Sequence, residues 1–301
     1  MKPLIYIIIL NYNSKTNAID CISSFKVIKH PNYKIVVVDN NSSDGSIEKL
    51  AKKFPNVEII KNKENVGFSE GNNVGIRYAL KKKADYIFLL NDDMLFEEDC
   101  LSKLTDFAEK NKRIGIIAPT IYKLDKSIGN NKTKANIWYA GGKINWAISR
   151  ADNIYSKSCI PKKPIECIAP GTAMLIKKDV FKSVGLFAKE YFFFFEDTDF
   201  CIRAQNKNWK VIYYPSAYIW HKKHKEDHLT GVKLYYYNRN RVLFMKKFAL
   251  PWQLLFFYCY TILKLVRHFI NSLFNSDSKI IVLSTVAGLR GETGKTKRVF
   301  R

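Results

Sequence analysis

The chain has 301 residues, 47% hydrophobic and 14% aromatic, ample for a packed core and for one large α/β domain, alone or with an appendage. Its six cysteines (21, 100, 159, 167, 201 and 259) contain no CxxC pair and no metal spacing, which argues against a cysteine-built metal centre and for reduced core thiols of a cytosolic protein. The formal charge is +23, and residues 202–301 hold 19 Lys and Arg against four acids, so a basic surface there suits nucleic acid, anionic lipid or a phosphorylated substrate.

Lys2 followed by Leu4–Leu10 imitates a short signal peptide, but Asn11-Tyr12-Asn13 follows instead of a small-residue cleavage site. The run therefore reads as a first buried strand. A helical pattern covers about Thr16 to Val27, with Ala18, Ile19, Ile22 and Phe25 at helical spacing. Ile35–Val38 predicts a second strand that ends in Asp39-Asn40-Asn41-Ser42-Ser43-Asp44-Gly45, where Asp44 or Ser43 can cap a helix to Phe54. Val57–Lys61 is a third short strand, and residues 65–75 read as a glycine- and asparagine-rich loop opening a helix to about Lys83. Next comes Tyr86–Leu95, an apolar run ending in Asn91, Asp92 and Asp93, which suits a strand buried on both faces of a mostly parallel sheet. Repeated strand–helix alternation of this kind predicts a doubly wound α/β fold.

Beyond Asp93 a helix fits Glu97–Lys110, and Ile114–Pro119 fits a strand. Residues 123–165 are polar and suit a long acceptor-side excursion. Order returns at Ile168–Ile176, followed by a capped helix from Lys178, the aromatic run Tyr191–Phe195 ending in Glu196-Asp197-Thr198-Asp199, a helix from Phe200 to Asn206 and a strand at Trp209–Tyr214.

Asp39, Asp92/Asp93 and Glu196/Asp197 thus read as three acidic strand ends. Parallel strands put such ends along one edge, where open α/β sheets bind ligands. An acid at Asp39 can accept the N3–H of a uracil or thymine ring. Asp93, with Asp92, can hold Mg²⁺ or Mn²⁺ against a diphosphate. Asp197 can take the proton of an incoming hydroxyl.

These segments resemble the inverting family 2 glycosyltransferases of GT-A fold, especially their rhamnosyltransferase-like branch. The likeness lies in Ile9–Asn13, Val38–Gly45, Asn65–Asn73, Leu90–Asp93, Pro170–Met174 and Phe195–Asp199, and it covers roughly residues 3–245. The resemblance implies that Asp39 reads the pyrimidine base with Asn11 and Asn41 nearby, and that Asn65, Gly67, Asn72 and Asp92 belong to the nucleotide pocket. It implies Asp93 as the metal-binding end of a DxD-type motif, Asp197 as catalytic base with Glu196 beside it, and His221 as a further metal ligand. Two departures stand out. Asn91 occupies the first place of the DxD-type motif, and after His221 the chain reads Lys-Lys-His-Lys, which leaves His224 as an alternative imidazole. Trp138 and Trp146, flanking Gly141-Gly142, could stack on a sugar or pack within a surface loop.

The division expected is a nucleotide-binding part at about 1–95, an acceptor-side part at about 96–234, and a basic amphipathic helical tail at 235–301. Pro251 suits the first turn of a helix running to Phe274. Its longest uncharged run, Phe248–Leu263, is sixteen residues, short of the roughly 20 that span a bilayer. The expectation is a helix lying in the membrane interface, apolar side down and cations toward anionic head groups; a core helix or homo-oligomer contact is the alternative. The whole reads as an enzyme that takes a nucleotide-diphosphate sugar (dTDP-rhamnose or a UDP-sugar) and a lipid-linked or glycan acceptor. It would sit on the inner face of the cell membrane, use Mg²⁺ or Mn²⁺ and need no nucleic acid. A basic nucleic-acid binder without catalysis and a sugar-nucleotide pyrophosphorylase-like enzyme are the alternatives.

Overall fold

The structure, a computed structural model, describes residues 2–14, 16–124, 136–154, 159–222, 229–272 and 275–300. In chain order the first half runs β1 (Ile5–Asn11), α1 (Asn17–Ser23), β2 (Tyr33–Asp39), α2 (Ser46–Lys53), β3 (Glu58–Lys61), α3 (Gly67–Lys81), β4 (Tyr86–Asn91), β5 (Met94–Leu95) and α4 (Cys100–Glu109). The second half continues with β6 (Ile114–Leu124), β7 (Ile137–Tyr139), β8 (Gly142–Asn145), β9 (Arg150–Asn153), β10 (Ile165–Glu166), β11 (Ala173–Lys177), α5 (Lys178–Val184), α6 (Glu196–Asn206) and β12 (Lys210–Lys222). Three helices close the chain: α7 (Gly231–Phe248), α8 (Pro251–Asn271) and α9 (Ser276–Leu289).

The main sheet follows the order β10-β12-β6-β11-β4-β1-β2-β3. From β3 through β4 it is parallel, as strand–helix alternation predicts. β11 then runs antiparallel between β4 and β6, and β12 pairs parallel with β6, so the acceptor half is mixed. Ile5, Ile7, Ile8 and Ile9 of β1 and Ile87, Phe88 and Leu89 of β4 are fully buried, which is why both strands read as unbroken apolar runs.

Several predicted elements shift. The glycine- and asparagine-rich stretch is mostly helix, since α3 begins at Gly67. Its glycines serve close packing: a Cβ on Gly71 would fall 2.6 Å from Leu10 Cδ1, and one on Gly75 would fall 2.5 Å from Ile8 Cγ2. Gly45, in the left-handed region, occupies the N-cap of α2, while Asp44 accepts from the Ser46 N–H at 3.0 Å as a turn residue. Lys178 opens α5 without a side-chain cap. The Ile114–Pro119 strand extends to Leu124, and the polar excursion carries the β8–β9 hairpin. Residues 125–135 and 155–158 of that excursion, and His224, lie outside the described residues.

The largest correction concerns Tyr191–Phe195. This run is no strand: Phe192, Phe194 and Phe195 have positive φ (62°, 69° and 73°), and Glu196 and Asp197 begin helix α6. Three bulky residues in the left-handed region each carry strain, so the surroundings must impose the conformation. They do. Asn240 of α7, fully buried, donates through Nδ2 to the carbonyls of Tyr191, Phe193 and Phe194 at 2.8, 2.8 and 3.0 Å. Arg239 Nη2 donates to the Tyr191 carbonyl at 3.0 Å. From the other side the Phe68 N–H donates to the Phe192 carbonyl at 2.7 Å.

The C-terminal helices form a layer over this corner. α8 is amphipathic, but its polar side faces inward. Thr261 is buried, Lys264 donates to Asn238 Oδ1 at 2.9 Å, and His268 bonds Ser278 Oγ at 3.0 Å. Leu255, Phe256, Ile262, Leu263, Phe269 and Ile270 are each more than half exposed. The expected arrangement, cations directed outward, therefore fails for Lys264. Pro251 does open the helix, with Gln253 Oε1 accepting from the Leu250 N–H at 2.9 Å. No described helix is long and apolar enough to cross a membrane.

Candidate active site

The carboxyl ends of β1, β2 and β4 share one edge. Asn11 pairs with Asp39 in register, and Leu10 with Asn91, so Asp39 and Asn91 stand two strands apart, roughly 10 Å. Asp39 is buried and already engaged. Its Oδ1 accepts from Asn11 Nδ2 at 3.0 Å and Ser42 Oγ at 2.6 Å, and its Oδ2 accepts from the Ser42 N–H at 3.2 Å. One carboxylate oxygen keeps capacity for a further donor.

Next to it stands an asparagine network centred on Asn40, which sequence reasoning passed over. Asn40 Nδ2 donates to the Gly67 carbonyl at 2.9 Å and to Asn65 Oδ1 at 3.3 Å, and Asn62 donates to Asn40 Oδ1 at 2.9 Å. Gly67 is required: at φ +87°, a Cβ would fall 2.5 Å from the Phe192 carbonyl oxygen. Asn41 is exposed in the left-handed region. Asn72 is buried and donates to the Phe68 carbonyl at 2.9 Å, within its own helix.

Past β4 the chain turns at Asp92-Asp93 into β5, which pairs antiparallel with the end of β12 and sets His221 opposite Met94. That pairing brings His221 Nε2 to 2.9 Å from Asp93 Oδ2. Trp138 meets the imidazole edge-on, with ring centroids 5.0 Å apart. Two donor atoms this close match the roughly 3 Å between adjacent ligands of an octahedral ion at about 2.1 Å, so Asp93 and His221 fit a small divalent cation. Among the described residues no group of three or more His, Cys, Asp and Glu gathers for a metal. Burial and the neighbouring Asp93 push the Asp92 carboxyl up to about 7, against the Ser14 hydroxyl and the Lys222 charge, which lower it. Lys222 is itself buried and paired with Asp20.

In the same cleft the N-terminus of α6 presents Glu196 and Asp197. Asp197 accepts from the Gly171 N–H at 2.8 Å, the Thr198 N–H at 2.6 Å and the Thr198 hydroxyl at 3.1 Å. Burial raises its carboxyl, and these donors oppose the rise, so it has the support an ionised base needs. Glu196 is 4% exposed, and its Oε2 has no partner among the described residues. Burial first, then Asp197 beside it, hold its carboxyl well above the ordinary range, which favours the protonated form. Asp199 is structural: fully buried, it accepts from Lys247 at 2.6 Å and Tyr191 at 3.1 Å and pairs with Arg203.

Asp93, His221, Glu196 and Asp197 all line one cleft of about 450 Å³. Phe193–Phe195 form part of its wall, with Trp138, Lys123, Lys233 and Tyr237. Asp39, Asn11, Asn41, Asn65, Gly67, Asn72 and Asp92 are not among its lining residues; they belong to the adjoining sheet edge and the start of α3. Trp146 lies apart, stacked on Phe244 at 5.7 Å. Lys123, Lys233, Tyr237 and the Asn240 clamp carried no recognisable motif; only the density of polar residues in Asn238-Arg239-Asn240-Arg241 hinted at a buried role.

Comparison with known proteins bears on the family and the fold. The profile of the family described as "Glycosyl transferase family 2" matches residues 6–185. The chain is 27% identical to the "dTDP-rhamnosyl transferase RfbF" of Shigella flexneri, over 98% of each chain. It is 22% identical to the "N-acetylglucosaminyl-diphospho-decaprenol L-rhamnosyltransferase" of Mycobacterium tuberculosis, over 77% of this chain and 79% of that one. Among solved structures it resembles the mannosyltransferase PcManGT of Pyrobaculum calidifontis in complex with GDP-Man and Mn²⁺. The TM-score is 0.60 at 12% identity, over 97% of this chain and 88% of that chain. That likeness carries the fold.

Proposed function

Because the chain belongs to glycosyl transferase family 2, we propose that it moves a sugar from dTDP-rhamnose, or from a UDP-sugar, to a hydroxyl of a lipid-linked or polysaccharide acceptor, inverting the anomeric carbon. The observation that carries this reading is the 450 Å³ cleft lined by both the Asp93–His221 pair and Asp197. Asp39, with Asn11, would read the pyrimidine ring at the adjoining edge, and Asn40, Asn65 and Gly67 would shape the floor beside it. Asp93 and His221 would hold Mg²⁺ or Mn²⁺, which supplies charge to offset the leaving diphosphate. Lys123 and Lys233 add positive charge to the same cleft.

Asp197 accepts the proton of the attacking hydroxyl. It is fixed by Gly171 and Thr198, so little reorganisation precedes the transfer. Neutral Glu196 can donate a hydrogen bond to the acceptor from the same helix terminus. Phe193–Phe195 and Trp138 offer apolar faces for a sugar ring and exclude water.

The names of the rhamnosyltransferase relatives support dTDP-rhamnose as the first donor to test, and the name of the mycobacterial relative supports a lipid diphosphate-linked acceptor. The apolar outer face of α8 favours a peripheral position on the inner face of the cell membrane.

The test is a panel of nucleotide sugars with Mg²⁺ or Mn²⁺, following nucleotide release and transfer to a lipid-linked acceptor. Release that requires metal and favours one donor supports the reading. Full turnover in excess chelator would remove the metal from it.

A further inference from the structure

Between α7 and α8 lies a group of hydrogen-bond donors that the active site does not use. Arg241 is 4% exposed, and its Nε and Nη2 have no hydrogen-bond partner among the described residues. Its guanidinium sits under the rings of Phe257 and Tyr260, at 5.5 and 5.6 Å. Thr261, 2% exposed on the same inward face of α8, has an unpartnered hydroxyl. One turn further, Lys264 bonds Asn238 and is pushed down to about 8 by burial and by the Arg241 charge.

Among the described residues the groups acting on these cations are Tyr260, which hydrogen-bonds Arg241, and Tyr237, and for Lys264 the Arg241 charge; none is a carboxylate. A buried guanidinium beside a half-buried ammonium, with no carboxylate among the described residues to offset them, is costly, and arginine cannot relieve the cost by losing its proton. A buried water could bridge Arg241 and Thr261 but would leave both charges uncompensated. An anion with several acceptor oxygens satisfies the guanidinium, the hydroxyl and the ammonium together. The cover over the guanidinium is a side chain, Tyr260, which is 38% exposed.

We propose that Arg241, Thr261 and Lys264 form a binding site for the phosphate group of an anionic membrane lipid. The source is a lipid because the same helix turns Leu255, Phe256, Ile262 and Leu263 outward, and acyl chains would cover them. Residues 202–301 hold 19 basic against four acidic residues, a balance that favours anionic over neutral lipid. The inference rests on α8 being the membrane-facing helix, and the two can fail separately.

The experiment sediments the full chain with vesicles of phosphatidylcholine alone and of phosphatidylcholine with phosphatidylglycerol. Binding to phosphatidylcholine alone reports the apolar face of α8, and the increment with phosphatidylglycerol reports the phosphate site. Lys264→Met should cut that increment about tenfold, the worth of one charge-assisted hydrogen bond. Lys279→Met, a charge-matched change on the exposed surface of α9, should change it little. Equal losses in the two variants would overturn the site in favour of diffuse charge. Suppression of the increment by millimolar inorganic phosphate would reassign it to a free anion. If Lys264→Met misfolds, acetylation of Lys264 in the unaltered protein decides. Phosphatidylglycerol vesicles should protect it where phosphatidylcholine vesicles do not, and equal labelling would contradict the proposal.

Discussion

At the donor edge, Asn11, Asp39 and Asn91 stand where parallel register puts them. Each ends a strand with a buried apolar run, and Asn11 lies directly opposite Asp39. In the cleft, Glu196 and Asp197 follow three phenylalanines in left-handed conformation, held by an asparagine more than forty residues further on. The donor edge is built by local preference and this segment against it. Backbone strain of this kind persists only where the rest of the fold over-determines it, and here the over-determined segment aims the proposed base.

That contrast can be broken by removing the clamp. Asn240→Leu takes the side-chain donor from the Phe193 and Phe194 carbonyls, while the Tyr191 carbonyl keeps Arg239, a loss of about 1–3 kcal/mol. The melting temperature should fall by several degrees and kcat by tenfold or more, with the donor KM little changed. Asn73→Leu is the comparison, because Asn73 makes two equally buried bonds to Phe187, at 2.9 and 3.0 Å, away from the base. It should destabilise the fold and spare kcat. Equal effects of both changes on kcat would show that the strained corner does not position the chemistry.

A smaller effect sharpens the same point. The Glu196 carboxyl titrates higher in the folded state than in the unfolded chain. Its favourable contribution is therefore full below the ordinary carboxylate range and is lost as pH rises through the raised value. Glu196→Gln, a permanent mimic of the neutral acid, should melt a few degrees above the parent at pH 8. The gap should close near pH 4. A variant less stable than the parent at pH 8 would contradict the raised value.

The difference between the two regions also explains what the sequence discloses. β1, β2 and β4 are legible because burial on both faces demands unbroken apolar runs, and acids at their ends stand out. The first half of α3 was read as a loop because Gly71 and Gly75 look like turn residues. Their reason for being glycine, close approach to Leu10 and Ile8, appears only in three dimensions. Tyr191–Phe195 was misread as a strand because aromatic residues favour strands, while the conformation comes from Asn240 and Arg239 across the fold. His221 was found through resemblance; what places it beside Asp93 is a two-residue strand, β5, too short to leave a periodic signal. The polar residues of α8 were expected to face head groups, but Thr261, Lys264 and His268 find partners or burial inside, so the helix presents its apolar side instead.

The central claim is that one cleft separates two tasks, holding the diphosphate at Asp93 and His221 and taking the proton at Asp197. Calorimetric titration of dTDP or UDP with Mn²⁺ into the parent, Asp93→Ala and Asp197→Asn, with turnover measured on the same samples, tests it most directly. The account predicts that Asp93→Ala loses metal-dependent nucleotide binding. It predicts that Asp197→Asn binds as the parent does while turnover falls by about 10²–10⁴. Parent-like nucleotide binding by Asp93→Ala, or parent-like turnover by Asp197→Asn, would contradict it.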